Sequence, residues 1–143
     1  MPYATYKTNV NSSVTTLWDL LMDKIENPQR YVPGVVSVKI LGKNDQEVLR
    51  EIATDSLTVT EKITWNQETK EIIFTLVDHP LFRGRVINKI WVDEENNQSM
   101  ELEFTLDWQP LNPDTVQKDL DMSSAIQKAV LHTKELAETL ISM

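Results

Sequence analysis

Residues 47–65 read EVLREIATDSLTVTEKITW. Apolar residues alternate with polar ones on either side of Asp55-Ser56, which is the period of a β-strand. A two-residue polar connector of this kind predicts a tight hairpin with Thr54 opposite Leu57. Counting back from that turn, Ile52 faces Val59, Arg50 faces Glu61 and Val48 faces Ile63. Directly opposed side chains on one face have Cβ atoms about 5 Å apart. The hairpin therefore predicts a cation and an anion meeting in the middle of an otherwise apolar face. A slip of one residue would send Arg50 to the opposite face from Glu61.

The same alternation continues outward. Strands are expected at 35–41, 47–54, 57–66, 71–77, 85–93 and 99–109, joined by the short polar connectors GKND, DS, QETK and EENNQ. Connectors this short require antiparallel neighbours. The longer DHPLFRG segment (78–84) contains proline and glycine and reads as a loop. Upstream, residues 3–10 are expected to form a first strand. Ser12 or Ser13 then caps a helix that presents Val14, Leu17, Trp18, Leu21 and Ile25 on one face, widened by Met22. Pro28 stops it, because proline has no N–H to give and clashes with the preceding turn. A further helical turn follows, closed by Pro33-Gly34. Downstream of Pro110 and Pro113 the helical period returns, with Val116, Leu120, Ile126, Ala129, Val130, Leu136, Ala137, Leu140 and Ile141 in one long stripe. Its leading segment PDTVQKDLDM is acidic, which suits the positive end of a helix dipole.

The predicted order is strand, helix, six antiparallel strands, long C-terminal helix: an α+β fold. The sheet's apolar face and the final helix's stripe must cover each other. A sheet of six or seven strands twists and curls, so the enclosed space need not be filled by side chains. At 143 residues, 41% hydrophobic and 25% charged, the chain has the size and composition of one soluble globular domain.

Composition also excludes functions. Lys and Arg total 14 against 22 acidic residues, for a net charge of −8. Phosphate backbones are bound by clustered basic residues, so nucleic acid is not an expected partner, nor is an anionic membrane surface. No apolar run approaches the ~20 residues that span a bilayer, and the N-terminus does not read as a signal peptide; a cytoplasmic protein is expected. Without cysteine there is no disulfide, thiolate site or cysteine nucleophile. P-loop, GxGxxG, HExxH and GxSxG patterns are missing, so no cofactor is expected. His79 and His132 lack companions for a zinc site, and no metal is expected.

Several stretches resemble a known family. SVTTLWDLLMDKIENPQRYVPGVVSVKIL (13–41), a helix with an early tryptophan leading through a proline-rich corner into a strand, is similar to the START-like superfamily, also called SRPBCC or the birch-pollen-allergen fold. VLREI, VTEKITW, VINKIWV and MELEFTLDW are similar to its AtaL-like subgroup, in which Arg50-Glu51, Glu61, Asn88 and Trp108 match the pattern. The resemblance covers nearly the whole chain. It implies a helix-grip fold, a curved antiparallel sheet around the C-terminal helix, with a hydrophobic ligand cavity under that helix. It implies no established reaction for the subgroup.

Arg50 and Glu61 have two readings. One is an internal ion pair that fixes strand register. The other is a polar anchor on a cavity wall, since ligand pockets are mostly apolar with a few placed polar groups. A guanidinium suits either, because its planar fork meets a carboxylate with two hydrogen bonds. Extending the count puts Asn88 on the same face, with Val86, Ile90 and Val92, beside Phe74 and Phe104, although Ile87 and Trp91 make the other face of this strand apolar too. Asn88 can hydrogen-bond a ligand or be satisfied by a neighbour or a buried water. Trp65, Phe74 and Phe104 are candidate lining, with Trp18 and Trp108, although such large aromatics are more often core residues. His79, in its loop with only Asp78 as an evident partner, reads as a plain loop histidine. On the other face, Ile73, Ile87 and Trp91 form an apolar patch that points to a homodimer, or else are scattered apolar residues under lysine and arginine stems.

The expected function is binding of a small, largely apolar molecule (polyketide-, lipid- or sterol-like) by Arg50, Glu61, Asn88, Trp65, Phe74 and Phe104. The alternatives are a polyketide cyclase or aromatase, which some superfamily members are, and a ligand-free interaction module. In the enzyme reading Arg50 stabilises charge and Glu61 is the base, although an ion-paired carboxylate is a poorer base.

Overall fold

The computed structural model describes residues 3–32, 34–55, 57–93, 96–112 and 122–141. The elements run β1 (Tyr3–Val10), α1 (Val14–Glu26), a 3₁₀ turn (Pro28–Arg30), β2 (Val35–Lys43), β3 (Glu47–Thr54), β4 (Thr58–Asn66), β5 (Glu71–Leu76), β6 (Phe82–Asp93), β7 (Asn96–Pro110) and α2 (Ser123–Ile141). The seven strands form one sheet in the order β1-β7-β6-β5-β4-β3-β2, with every neighbouring pair antiparallel. This is the α+β architecture expected from the periodicities, and it is consistent with the helix-grip fold that the family resemblance implies.

The β3–β4 hairpin has the expected register. Arg50 pairs with Glu61, Ile52 with Val59 and Val48 with Ile63, and the Thr54 amide donates to the Leu57 carbonyl at 2.8 Å. Ser56 itself lies outside the described residues. Ser13, rather than Ser12, caps α1: its hydroxyl accepts from the Thr16 amide at 3.0 Å. Leu17, Trp18, Leu21 and Ile25 are buried as the helical spacing requires. At the far end Asp23 gathers the corner after Pro28, accepting from the Tyr31 hydroxyl at 2.6 Å, Asn27 at 2.9 Å and Arg30 at 3.2 Å.

Three expectations need correction. β6 begins at Phe82, inside the segment read as a loop, because Phe82 is buried and pairs with Pro110. Gly84 permits this extension. It sits at φ +130°, and a Cβ there would lie 2.1 Å from the Asp107 carbonyl oxygen, so only a bare backbone lets β6 close on β7. Second, His79 is not a plain loop residue. It is buried, and its Nδ1 accepts from the Leu81 and Phe82 amides at 3.0 and 3.1 Å. That makes it the organiser of the β5–β6 connection, with its proton on Nε2. Burial lowers its pKa below the ordinary 6.5. Third, Val92 is 38% exposed at the open end of β6 instead of lying inside. Pro33 and the leading part of the C-terminal stripe, including Val116 and Leu120, lie outside the described residues.

The outer face carries Ile73 and Ile87, half-buried and paired with each other, and the exposed Trp91. Trp91 is not bare: its indole donates to Glu103 at 3.0 Å, while Lys7 and Lys89 lie 5.4 and 4.5 Å from its ring.

Candidate ligand-binding site

A cavity of about 190 Å³ lies between the inner face of the sheet and α2. Its wall is mainly apolar: Ile52 and Val59 from the hairpin, Phe74, Val86, Phe104 and Trp108 from the following strands, and Ala125, Ile126 and Ala129 from α2. Four polar side chains face it as well: Lys24, Arg50, Glu61 and Asn88. Of the residues expected here, Arg50, Glu61, Asn88, Phe74 and Phe104 line the cavity, and Trp65 does not. Trp65 is half-buried and packs against the core towards the end of β4.

Arg50 is only 4% exposed and makes four hydrogen bonds. Nε and Nη2 donate to Glu61 Oε1 at 3.1 and 2.8 Å. Nη1 donates to the Lys24 and Ile25 carbonyls at 3.1 and 2.8 Å. Those carbonyls belong to the last turn of α1, where helical partners run out and positive charge is favoured. The guanidinium thus joins β3, β4 and the C-terminus of α1. Its face also lies 5.2 Å from the Phe74 ring. With one N–H left over from five, Arg50 is a brace more than a free anchor.

The polar group that the sequence reading missed is Lys24. It occupies the i+7 position from Leu17 and the i+3 position from Leu21, squarely on the stripe of α1, and is 4% exposed. That spacing was the available signal. Its amine donates to Asn88 Oδ1 and lies 4.0 Å from the Phe104 ring and 5.1 Å from that of Phe74. Burial first, and then the Arg50 charge, hold the amine well below the ordinary lysine pKa of 10.5; Glu61 opposes this only in part.

Asn88 is fully buried, paired across the ladder with Ile72 and Phe104. Its Oδ1 is used by Lys24, and its Nδ2 has no hydrogen-bond partner. The indole N–H of Trp108 is likewise buried and unpartnered. Buried donors are nearly always satisfied, so two vacant ones on residues lining one cavity mark where an acceptor from outside the chain fits. Among the described residues no group of His, Asp and Glu side chains is arranged to hold a metal ion, and no helix is long and apolar enough to cross a membrane.

A family model described as acetylaranotin biosynthesis cluster protein L, AtaL, matches residues 5–141. The chain belongs to the AtaL family. Its fold is similar to that of several solved structures. A protein from Thermus thermophilus superposes with a TM-score of 0.74 at 14% identity, covering 99% of each chain. A START superfamily protein from Mycobacterium smegmatis gives 0.65 at 14% identity, covering 98% of this chain and 97% of the other. The Zhui aromatase/cyclase from a Streptomyces species gives 0.59 at 14% identity, covering 95% and 87%. At such identities the likeness is one of fold. No curated protein matches this AtaL-family chain.

Proposed function

We propose that this AtaL-family protein binds a compact, largely apolar organic molecule carrying one hydrogen-bond-accepting oxygen. The observation that carries the reading is the unpartnered Nδ2 of the fully buried Asn88 on the wall of an apolar cavity. An apolar ligand body replaces cavity water at a gain of roughly 25 cal/mol per Å² of buried apolar surface, and one oxygen satisfies the vacant donor. The volume restricts the size. Drug-sized ligands occupy pockets of about 300–1,000 Å³, so about 190 Å³ suits a molecule of one or two rings in place of a sterol or a long polyketide chain.

Matched probes test this by calorimetry and thermal shift. Methyl benzoate has an acceptor oxygen; propylbenzene has a similar shape without one. The ester should bind roughly threefold to tenfold tighter, the net worth of one hydrogen bond, and Asn88→Leu should abolish the preference. Equal binding of the two probes, or none of either, overturns the reading. A cyclase-like reaction is less well supported. It needs a free base, whereas Glu61 Oε1 already holds two bonds from Arg50, and it needs room for a folded multi-ring chain.

A further inference from the structure

We propose that Lys24 is a nucleophilic amine that captures a small aldehyde or ketone as a reversible imine inside this cavity. The inference deepens the proposed binding function and rests on it.

Lysine is an unusual choice for this position. Its neighbours on the α1 stripe, Leu17, Leu21 and Ile25, are apolar, and a charged amine costs several kcal/mol to bury without a carboxylate on it. Lys24 has no such partner: its bond goes to the neutral Asn88 Oδ1, while Glu61 is engaged by Arg50. A lysine kept in an apolar site beside another cation is the environment that exposes the nitrogen lone pair at neutral pH, and the depressed titration of this amine agrees. The second half of the arrangement is Asn88. Its Oδ1 orients the attacking amine, and its vacant Nδ2 offers a hydrogen bond to the carbonyl oxygen that the amine must polarise. Phe74 and Phe104, against which the amine lies, supply flat surfaces for the rest of the ligand.

The chemistry balances without any further reactant. The Nζ lone pair forms a C–N bond as the carbonyl π pair moves onto oxygen. A proton passes from nitrogen to that oxygen, giving a carbinolamine. The C–O bond then breaks as the second N–H proton leaves with the oxygen. The products are the C=N bond and one water, and nothing is oxidised or reduced. Hydrolysis reverses every step.

Trapping tests the proposal. The full-length protein is mixed with equimolar benzaldehyde and sodium cyanoborohydride at pH 7, and adducts are located by peptide mapping. An exposed lysine holds a free amine in only about one molecule in 2,500 at this pH, so label at Lys24 should exceed that at any other lysine by at least about tenfold. Lys24→Arg should lose that label, and Lys7→Met, on the outer face, should keep it. Because the mapping is read on the unaltered chain, a variant that fails to fold does not remove the test. Label spread evenly over surface lysines, with methyl benzoate still binding, overturns the imine and leaves the binding function standing. Failure of both probes overturns both.

Discussion

Among the described residues a lysine amine lies over an aromatic ring in three places; Lys70 over Trp18 is one, and the other two stand on opposite faces of the sheet. On the outer face Lys7 and Lys89 flank Trp91, whose indole N–H is held by Glu103. On the inner face Lys24 lies over Phe104 and Phe74 and donates to Asn88. The local pairing is alike, but the surroundings differ. Outside, Glu101 and Glu71 stand within 4 Å of the two amines and water reaches the group. Inside, the amine is enclosed and its nearest formal charges are Arg50 and Glu61, which are bonded to each other. The comparison teaches that the ring is incidental. What separates a surface clasp from a chemically poised amine is the absence of water and of an uncommitted carboxylate.

The largest effect should come from breaking the brace beneath the inner amine. Arg50→Leu leaves Glu61 buried without its partner and two α1 carbonyls without a donor. It should cost about 3–5 kcal/mol of unfolding free energy, read by urea denaturation. A loss below about 1 kcal/mol would mean that the pair is more hydrated than its 4% and 7% exposures indicate.

A second effect, smaller at any one pH step, distinguishes the inner amine by pH. The folded chain releases the Lys24 proton well below 10.5, whereas the unfolded chain holds it up to that value. Between those limits the unfolded state binds more protons, so stability rises with pH, by at most about 1.4 kcal/mol per unit. Arg50 on β3 and Glu61 on β4 are the charged groups acting on the amine. The unfolding free energy of the parent minus that of Lys24→Met should therefore climb as pH is raised from neutrality towards 10. A flat difference would show an amine that titrates like one in water. The smallest effect belongs outside: Lys7→Met removes a long contact to Trp91 and a 3.9 Å exposed ion pair and should change stability by less than about 0.5 kcal/mol.

The inner and outer faces also differ in how far sequence reveals them. The register of Arg50 against Glu61 was legible because a two-residue connector allows only one alignment that keeps Val48, Ile52, Val59 and Ile63 on one side. Phe74 and Phe104 followed from the same alternation; Asn88 did so less firmly, because Ile87 and Trp91 make the other face of its strand apolar as well. Trp65 shares that alternation yet lies outside the cavity, since alternation assigns a face and says nothing of the position along it. Lys24 was overlooked because the stripe of α1 was traced through apolar residues only, although its spacing places it among them. The fate of Arg50's remaining donors was hidden for a different reason. They end on backbone carbonyls of α1, and carbonyls carry no trace in a pattern of side chains. His79 was misread on the same ground, its partners being two amides of its own loop.

Gly84 lets the strand that carries Trp108, part of the cavity wall, approach closely. It pairs with Trp108 across β6 and β7, and an added Cβ would meet the Asp107 carbonyl oxygen at 2.1 Å and the Trp108 Cα at 2.9 Å. The spacing of a wall strand is therefore set partly by a residue that does not line the cavity. One methyl group at that spacer would force β6 and β7 apart beside Trp108, so the cavity wall can be altered without changing any lining side chain.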